Sequence, residues 1–434
     1  MILVIGVVGS LGAVTACGSG GGAPADDGRI TVTFWQNKFS NEDNAWFKKA
    51  VDDYNKSQDG IRVELTVVPG DAWDQKLKAA QAAGKAPDMY TMNYSAVPMN
   101  ARNQQLAPIT EHIDAAAWDD LDPRFLDAVT VEGKQYAYPL YYEPSALLFY
   151  REDLFTAAGL DPDSPPTTWA ELIEAGETLQ ATDAKTIPFQ IAQNAVELSW
   201  STWGAQKGTT GHLAISDDWS QATVTDDYKP LFEFYQDLYA KKIIAKQALS
   251  AYGDATPLGQ GKLAMMAAGS WAISQLLADY DDMVGKLRVA PMPTVDGDTT
   301  RTTSTLGGWT IGVDARSQHV AEASDAIGWM LAGDIDVPKA YFTGTMYTKL
   351  SPRISVDEAL AAGDDSSVNP FYDVLTESTA TAILEPTYDW QVSLAVGTAL
   401  EKAMLGGDID EAMAEANQKI EKVIKDLGLA KQPH

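Results

Sequence analysis

Twelve tryptophans and seventeen tyrosines stand in this chain of 434 residues. Aromatic faces cover the apolar C–H faces of a cyclic polyol, while Asp, Glu, Asn, Gln and Arg pair with its hydroxyls in planar geometry. Such a site discriminates, because a missing hydroxyl leaves a buried polar group unpaired. Several short segments combine both chemistries. Trp35, Gln36 and Asn37 close the first strand pattern, Asp71 follows the second, and Asn93 and Tyr94 follow the third. Further along stand Tyr142 with Glu143, Trp200 and Trp203 in SWSTWGAQ, and Trp271 in GSW. Gly307, Gly308 and Trp309 offer close backbone approach and a stacking face. Arg353 follows Ser351-Pro352, and Tyr388, Asp389 and Trp390 precede a helical pattern. Trp46, Trp169 and Trp329 fall on helical faces and read as core.

The sequence predicts no catalytic residues, no cofactor and no metal. It holds no G-x-S-x-G elbow and no H-E-x-x-H, and its four histidines share no metal-ligand spacing. Gly18–Ala23 spells a dinucleotide-loop pattern, but no strand precedes it. Paired carboxylates abound, so counting leaves open an acid/base pair of a secreted, lipid-anchored glycosidase. The formal charge is −28, from 60 acidic and 32 basic residues. That balance excludes nucleic acid as a partner, since such affinity rests on clustered Lys and Arg. None of the residues at the first three strand ends is basic, which suits a neutral polyhydroxyl ligand. A phosphorylated polyol, an amino acid or a peptide is the alternative, and a ring of Arg and Lys would favour the phosphorylated one.

The N-terminal stretch from Met1 to Ala16 is apolar and uncharged. It is shorter than the roughly 20 residues that span a bilayer and fits the core of a signal peptide. It ends Val14-Thr15-Ala16-Cys17, which resembles a lipobox. The basic residue expected before the run is missing; a start codon farther upstream would explain that. Cys17 is the single cysteine, so no intrachain disulfide can form. The Gly-rich segment Gly18–Gly28 reads as a tether, which makes Cys17 the expected site of lipidation.

The elements that must position these residues come in a regular order. Ile30 to Trp35 alternates as a strand, and Ser40 with Asp43 signals a helix start. Ile61–Val68 alternates again, a helix covers about Ala72–Ala83 with Gly84 as its stop, and Asp88–Met92 reads as a third strand. This is a doubly wound α/β unit, whose ligands bind beyond the carboxyl ends of the strands. Two aromatic-rich strands surround Glu143-Pro144, Thr168 with Glu171 starts a helix, and helices dominate to about Asp282. Strands return at Lys286–Pro293 and Gly307–Val313, and a helix begins at Asp408 and stops at Gly428.

In this order and spacing, GKAPDMYTMN, GKQYAYPLYYEPSALLFYREDLFTAAGL, PPTTWAEL, GQGKLAMMAAGSWAI, VAPMPTVDG and GGWTIGVDARSQHVAEASDAIGWML carry a resemblance. The chain resembles the extracellular solute-binding proteins of carbohydrate ABC transporters, the maltose-binding-protein-like family. The resemblance implies a periplasmic-binding-protein-like fold of two α/β lobes, with a hinge and an interlobe ligand cleft. It implies residues 29–139 and 290–335 in the N-terminal lobe, and 140–289 and 336–434 in the C-terminal lobe. It further implies a monomer, lipid-anchored outside the membrane, that passes a carbohydrate to the permease subunits.

Overall fold

The computed structural model describes residues 28–363 and 368–432, the side chains of Asp71 and Asp74 excepted. The proposed signal peptide, Cys17 and most of the tether lie outside the described residues. No helix among them is long and apolar enough to cross a membrane.

The first lobe grows from β1 (Ile30–Asn37), helix α1 (Asn41–Ser57), β2 (Ile61–Val68), helix α2 (Trp73–Ala82) and β3 (Met89–Asn93). β1 runs parallel to both β2 and β3. Ser40 and Asp43 exchange hydrogen bonds in a complete capping box, which fixes where α1 begins. A small hairpin, β4 (Thr130–Val131) and β5 (Lys134–Gln135), precedes β6 (Ala137–Pro144) and β7 (Leu147–Arg151). The second lobe continues with β8 (Ile187–Gln190), β9 (Leu263–Ala268) and β10 (Leu287–Pro291). The chain then returns as β11 (Thr305–Val313) and much later adds β12 (Ile383–Leu384).

Two sheets result. The first has the order β12-β11-β3-β1-β2, with β6 on the remaining edge of β11; the second has the order β10-β7-β9-β8. β11 runs antiparallel to β3 and to β6, so the first sheet is mixed beyond its parallel start. β6 and β7 lie in different sheets, although only Ser145 and Ala146 separate them. One core packs α1 and the helices 336–344 and 354–362 on one face of the first sheet, through Phe34, Phe47, Tyr341 and Val356. A second core fills the other lobe, through Leu148, Phe189, Phe232 and Val396.

The crossings differ from the boundaries expected at 139/140, 289/290 and 335/336. β6 stays in the first sheet to Pro144, and β10 still belongs to the second sheet. The helices after residue 335 remain in the first lobe, because Trp46 Nε1 donates to the Val337 carbonyl and its ring meets Tyr341 edge-on. Residues 371–375 then pack on the second lobe beside Leu287 and Val289.

Gly308 shows how tightly β6 and β11 are joined. A Cβ there would sit 2.2 Å from the Tyr141 carbonyl oxygen, whereas one at Gly307 would meet nothing closer than 3.4 Å. Gly308→Ala is therefore expected to cost about 1–3 kcal/mol, as forced overpacking does. Gly307→Ala, compared by calorimetry, should leave the melting temperature nearly unchanged.

Candidate functional site

β6 and β11 carry their residues to the boundary between the lobes. Glu143 is the penultimate residue of β6 and is buried. Its Oε2 lies 3.1 Å from the hydroxyl of Ser270, which belongs to the second lobe. The same hydroxyl lies 2.5 Å from the Thr348 carbonyl oxygen, which belongs to the first. Next to Thr348, the Lys349 ammonium is 3.2 Å from the Asp43 carboxylate, both side chains being almost wholly buried. Burial pushes the Glu143 carboxyl up to about 7, against the pull of Lys349 and with the push of Asp43. Met346 and Tyr347, just before Thr348, both adopt left-handed backbone at φ 57° and 52°. Non-glycine residues rarely do so, and strain of this kind gathers where a segment must present a group in one direction.

Above this floor the first lobe offers Phe39 and Trp309, meeting edge-on with centroids 4.8 Å apart. Trp309 pairs with Asn93 across the β11–β3 register, and both are half-buried. Gln36 is fully buried, and its Nε2 donates to Asn44 Oδ1 at 2.7 Å. Gln36 Oε1 and Asn37 Oδ1 are buried with no hydrogen-bond partner among the described residues. On the side of the second lobe, Trp271 follows Ser270 directly and donates from Nε1 to the Gly253 carbonyl. Trp200 and Tyr252 meet edge-on at 5.1 Å, and Trp271 lies 6.5 Å from each. The Tyr252 hydroxyl reaches back to the Ser145 carbonyl, which fixes this aromatic group to the crossing point.

Of the expected site residues, the structure thus brings together Gln36, Asn93, Glu143, Trp309 and Trp271, with Trp200 nearby; Asn37 falls on the opposite face of β1 from Gln36. Trp390 begins its helix 42% exposed and edge-on to Trp203. Asp389 is that helix's cap, accepting from the Gln391 amide. Asp71 lies in a short 3-10 turn, Gly70–Ala72.

Six of the expected contacts have other work. Tyr94 is buried, donates to the Tyr141 carbonyl and packs on Phe125. Tyr142 stacks on the same Phe125, with ring centroids 4.4 Å apart. Trp35 also points to that side of the sheet, with the Lys76 ammonium over its ring. Strand alternation explains this: neighbours of an inward residue face the opposite way. Trp203 is buried with its Nε1 donating to Ser393, and Tyr388 lies in the second core. Gly308 serves strand packing rather than ligand approach.

Arg353 is the clearest correction. Nε donates to Asp120, Nη1 to the Leu331 and Gly333 carbonyls, and Nη2 to Ser355. It seals the end of the π-helical turn Gly328–Ala332. Sequence patterns missed Phe39, Asn44, Tyr252, Ser270 and Lys349. Asp43 carried a signal, but only as a helix cap.

Among the described residues, no group of three or more His, Cys, Asp or Glu is arranged to hold a metal ion. A cavity of about 30 Å³ lined by Trp169, Ser201 and Met292 lies within the second core and is too small for a sugar.

The comparisons agree with this architecture. Residues 39–332 match the family model of the bacterial extracellular solute-binding proteins. The chain belongs to that family. A probable ABC transporter-binding protein of Deinococcus radiodurans is 26% identical over 81% of this chain and 90% of its own length. The cyclic α-maltosyl-1,6-maltose binding protein of Arthrobacter globiformis superposes with a TM-score of 0.70 at 26% identity, covering 92% of this chain and all of that one. A solute-binding protein of Thermotoga lettingae, solved with α-D-tagatose, gives a TM-score of 0.77 at 24% identity over 91% of this chain and all of that one.

Arg353→Leu tests the reassignment of that residue. Removing one partner of a buried ion pair leaves Asp120 uncompensated and should cost about 3 kcal/mol. Melting curves should register the loss, while solute affinity well below the melting temperature stays at the wild-type value.

Proposed function

We propose that the protein is the substrate-binding component of a carbohydrate ABC importer, capturing a neutral oligosaccharide between its lobes without altering it. The observation that carries this is the polar inventory beside Phe39 and Trp309. Gln36 Oε1 is a buried acceptor without a partner among the described residues, and the Lys349 ammonium is already paired with Asp43. Such a surface calls for hydroxyl donors and indole-facing C–H groups, not for a phosphate. One similar protein, an arabinooligosaccharide-binding protein of Halalkalibacterium halodurans, points the same way, while several sn-glycerol-3-phosphate-binding proteins represent the phosphorylated alternative. The residues at the floor act as hydrogen-bonding groups rather than as an acid/base pair, so no catalysis is assigned. Closure of the lobes on the bound solute would favour a state that binds better than the open one, as a population shift requires. We assign Cys17 as a lipid anchor that keeps the protein at the outer face of the cell membrane, as a monomer delivering solute to the permease.

Three measurements test these assignments. A thermal-shift screen should show stabilisation by neutral oligosaccharides exceeding that by sugar phosphates at equal concentration; the reverse order would sink the ligand class. Trp271→Ala, Trp309→Ala and Trp390→Ala should each weaken sugar binding about thirty-fold, roughly 2 kcal/mol, as hot-spot aromatics do. Trp203→Ala should instead lower the melting temperature first. Cys17→Ala should move the protein from the membrane to the soluble fraction, since a lipid anchor is the proposed attachment.

A further inference from the structure

Ser270 opens the helix Trp271–Asp279 but makes no capping hydrogen bond. A serine in that position ordinarily turns its oxygen onto the free N–H groups of the first turn. Here the hydroxyl points instead between the lobes, at 2.5 Å from the Thr348 carbonyl oxygen and 3.1 Å from Glu143 Oε2.

The proton count decides how these contacts work. A hydroxyl carries one hydrogen, and a backbone carbonyl carries none. The shorter contact therefore takes the Ser270 hydrogen. The contact with Glu143 is then a hydrogen bond only when the carboxyl supplies its own proton. Once that proton leaves for solvent, two oxygens with lone pairs face each other at 3.1 Å.

We propose that Glu143, Ser270 and Thr348 form a proton-dependent tie between the lobes. The protonated Glu143 carboxyl donates to Ser270 Oγ, and Ser270 donates to the Thr348 carbonyl. Loss of the Glu143 proton breaks the first link and loosens the floor of the cleft. The tie concerns the contact between lobes and holds whatever solute is bound.

The surroundings place the transition in a useful range. Lys349 faces Glu143 from the first lobe and favours its charged form, while Asp43 beside Lys349 opposes it. Glu385 stands next to Gly307, the β11 partner of Glu143, and accepts from the Ser95 amide. The Tyr141 ring lies one residue from Glu143's neighbour on the same strand, under the Lys349 ammonium. Burial outweighs Lys349, and both Glu143 and Glu385 are pushed up to about 7. A carboxyl raised in this way binds more protons in the native chain than in the unfolded one. Its contribution is fully present below the usual carboxylate pKa and is lost as the pH rises through about 7.

The test uses melting temperatures of the protein without sugar, from roughly pH 5 to 8.5, where the linked proton is bound and released. Wild type minus Glu143→Gln isolates the titration of Glu143 from that of Glu385. The same difference on a Ser270→Ala background removes the proposed acceptor of the Glu143 proton. The expected result is a difference that declines from acid pH and levels off near neutrality, the levelling-off point moving down by about half a pH unit or more when Ser270 is replaced. A levelling-off point that rises would show Ser270 donating to an ionised Glu143, and one that stays would show no proton-dependent link; either would overturn the tie. Hydrogen exchange gives a second measurement on the wild type alone, should a variant fail to fold. The Ser270 amide donates to the Pro144 carbonyl at 3.1 Å across the same contact. After correction for intrinsic rates, its protection should fall as the pH rises through neutrality; constant protection would equally overturn the proposal.

Discussion

The pairing of β6 with β11 is the constraint on which the cleft depends. It joins the strand that leaves the first lobe to the strand that returns to it, from Gly312 opposite Ala137 to Leu306 opposite Pro144. Because only two residues separate β6 from β7, any shift of β6 would carry into the second sheet. The register therefore fixes the lobes' starting geometry and the position of Glu143 together. A slip of one residue would turn Glu143 and Trp309 to the wrong face, which is why close packing at Gly308 has value beyond stability.

Asp43 connects this strand geometry to the rest of the first lobe. Its carboxylate accepts from the Ser40 amide and hydroxyl and also faces the buried Lys349 ammonium. A buried ion pair is an uncertain source of net stability, because removing two charges from water is costly. Its effect here is geometric. It ties the start of α1 to the segment that presents Thr348, so the wall and the floor of the site cannot move independently.

Local patterns were legible where a short-range rule controls the outcome. The Ser40/Asp43 and Thr168/Glu171 capping boxes form, Ile61–Val68 is a strand to the residue, and Gly428 ends its helix in a left-handed conformation. The two-lobe α/β family was legible as well, from the order of its segments. The site was legible only in part. Tyr94 and Tyr142 carry suitable side chains at suitable strand ends, but the pleat turns them towards Phe125. Arg353 shows the same limit, since nothing local reveals that Asp120 and two carbonyls 20 and 22 residues earlier converge on it. Ser270 and Lys349 went unnoticed because single small or charged residues acquire meaning only through tertiary neighbours.

The grouping of Trp200, Tyr252 and Trp271 has an optical consequence. Indole emission responds to the polarity and mobility of its surroundings, and these half-buried rings stand next to the point where the lobes join. Trp271 is also held to the Gly253 carbonyl through its ring nitrogen. A change in solvent access at the cleft would alter the dipolar environment of two indoles at once. Intrinsic tryptophan emission is thus expected to change when a solute enters the proposed cleft, without any added dye.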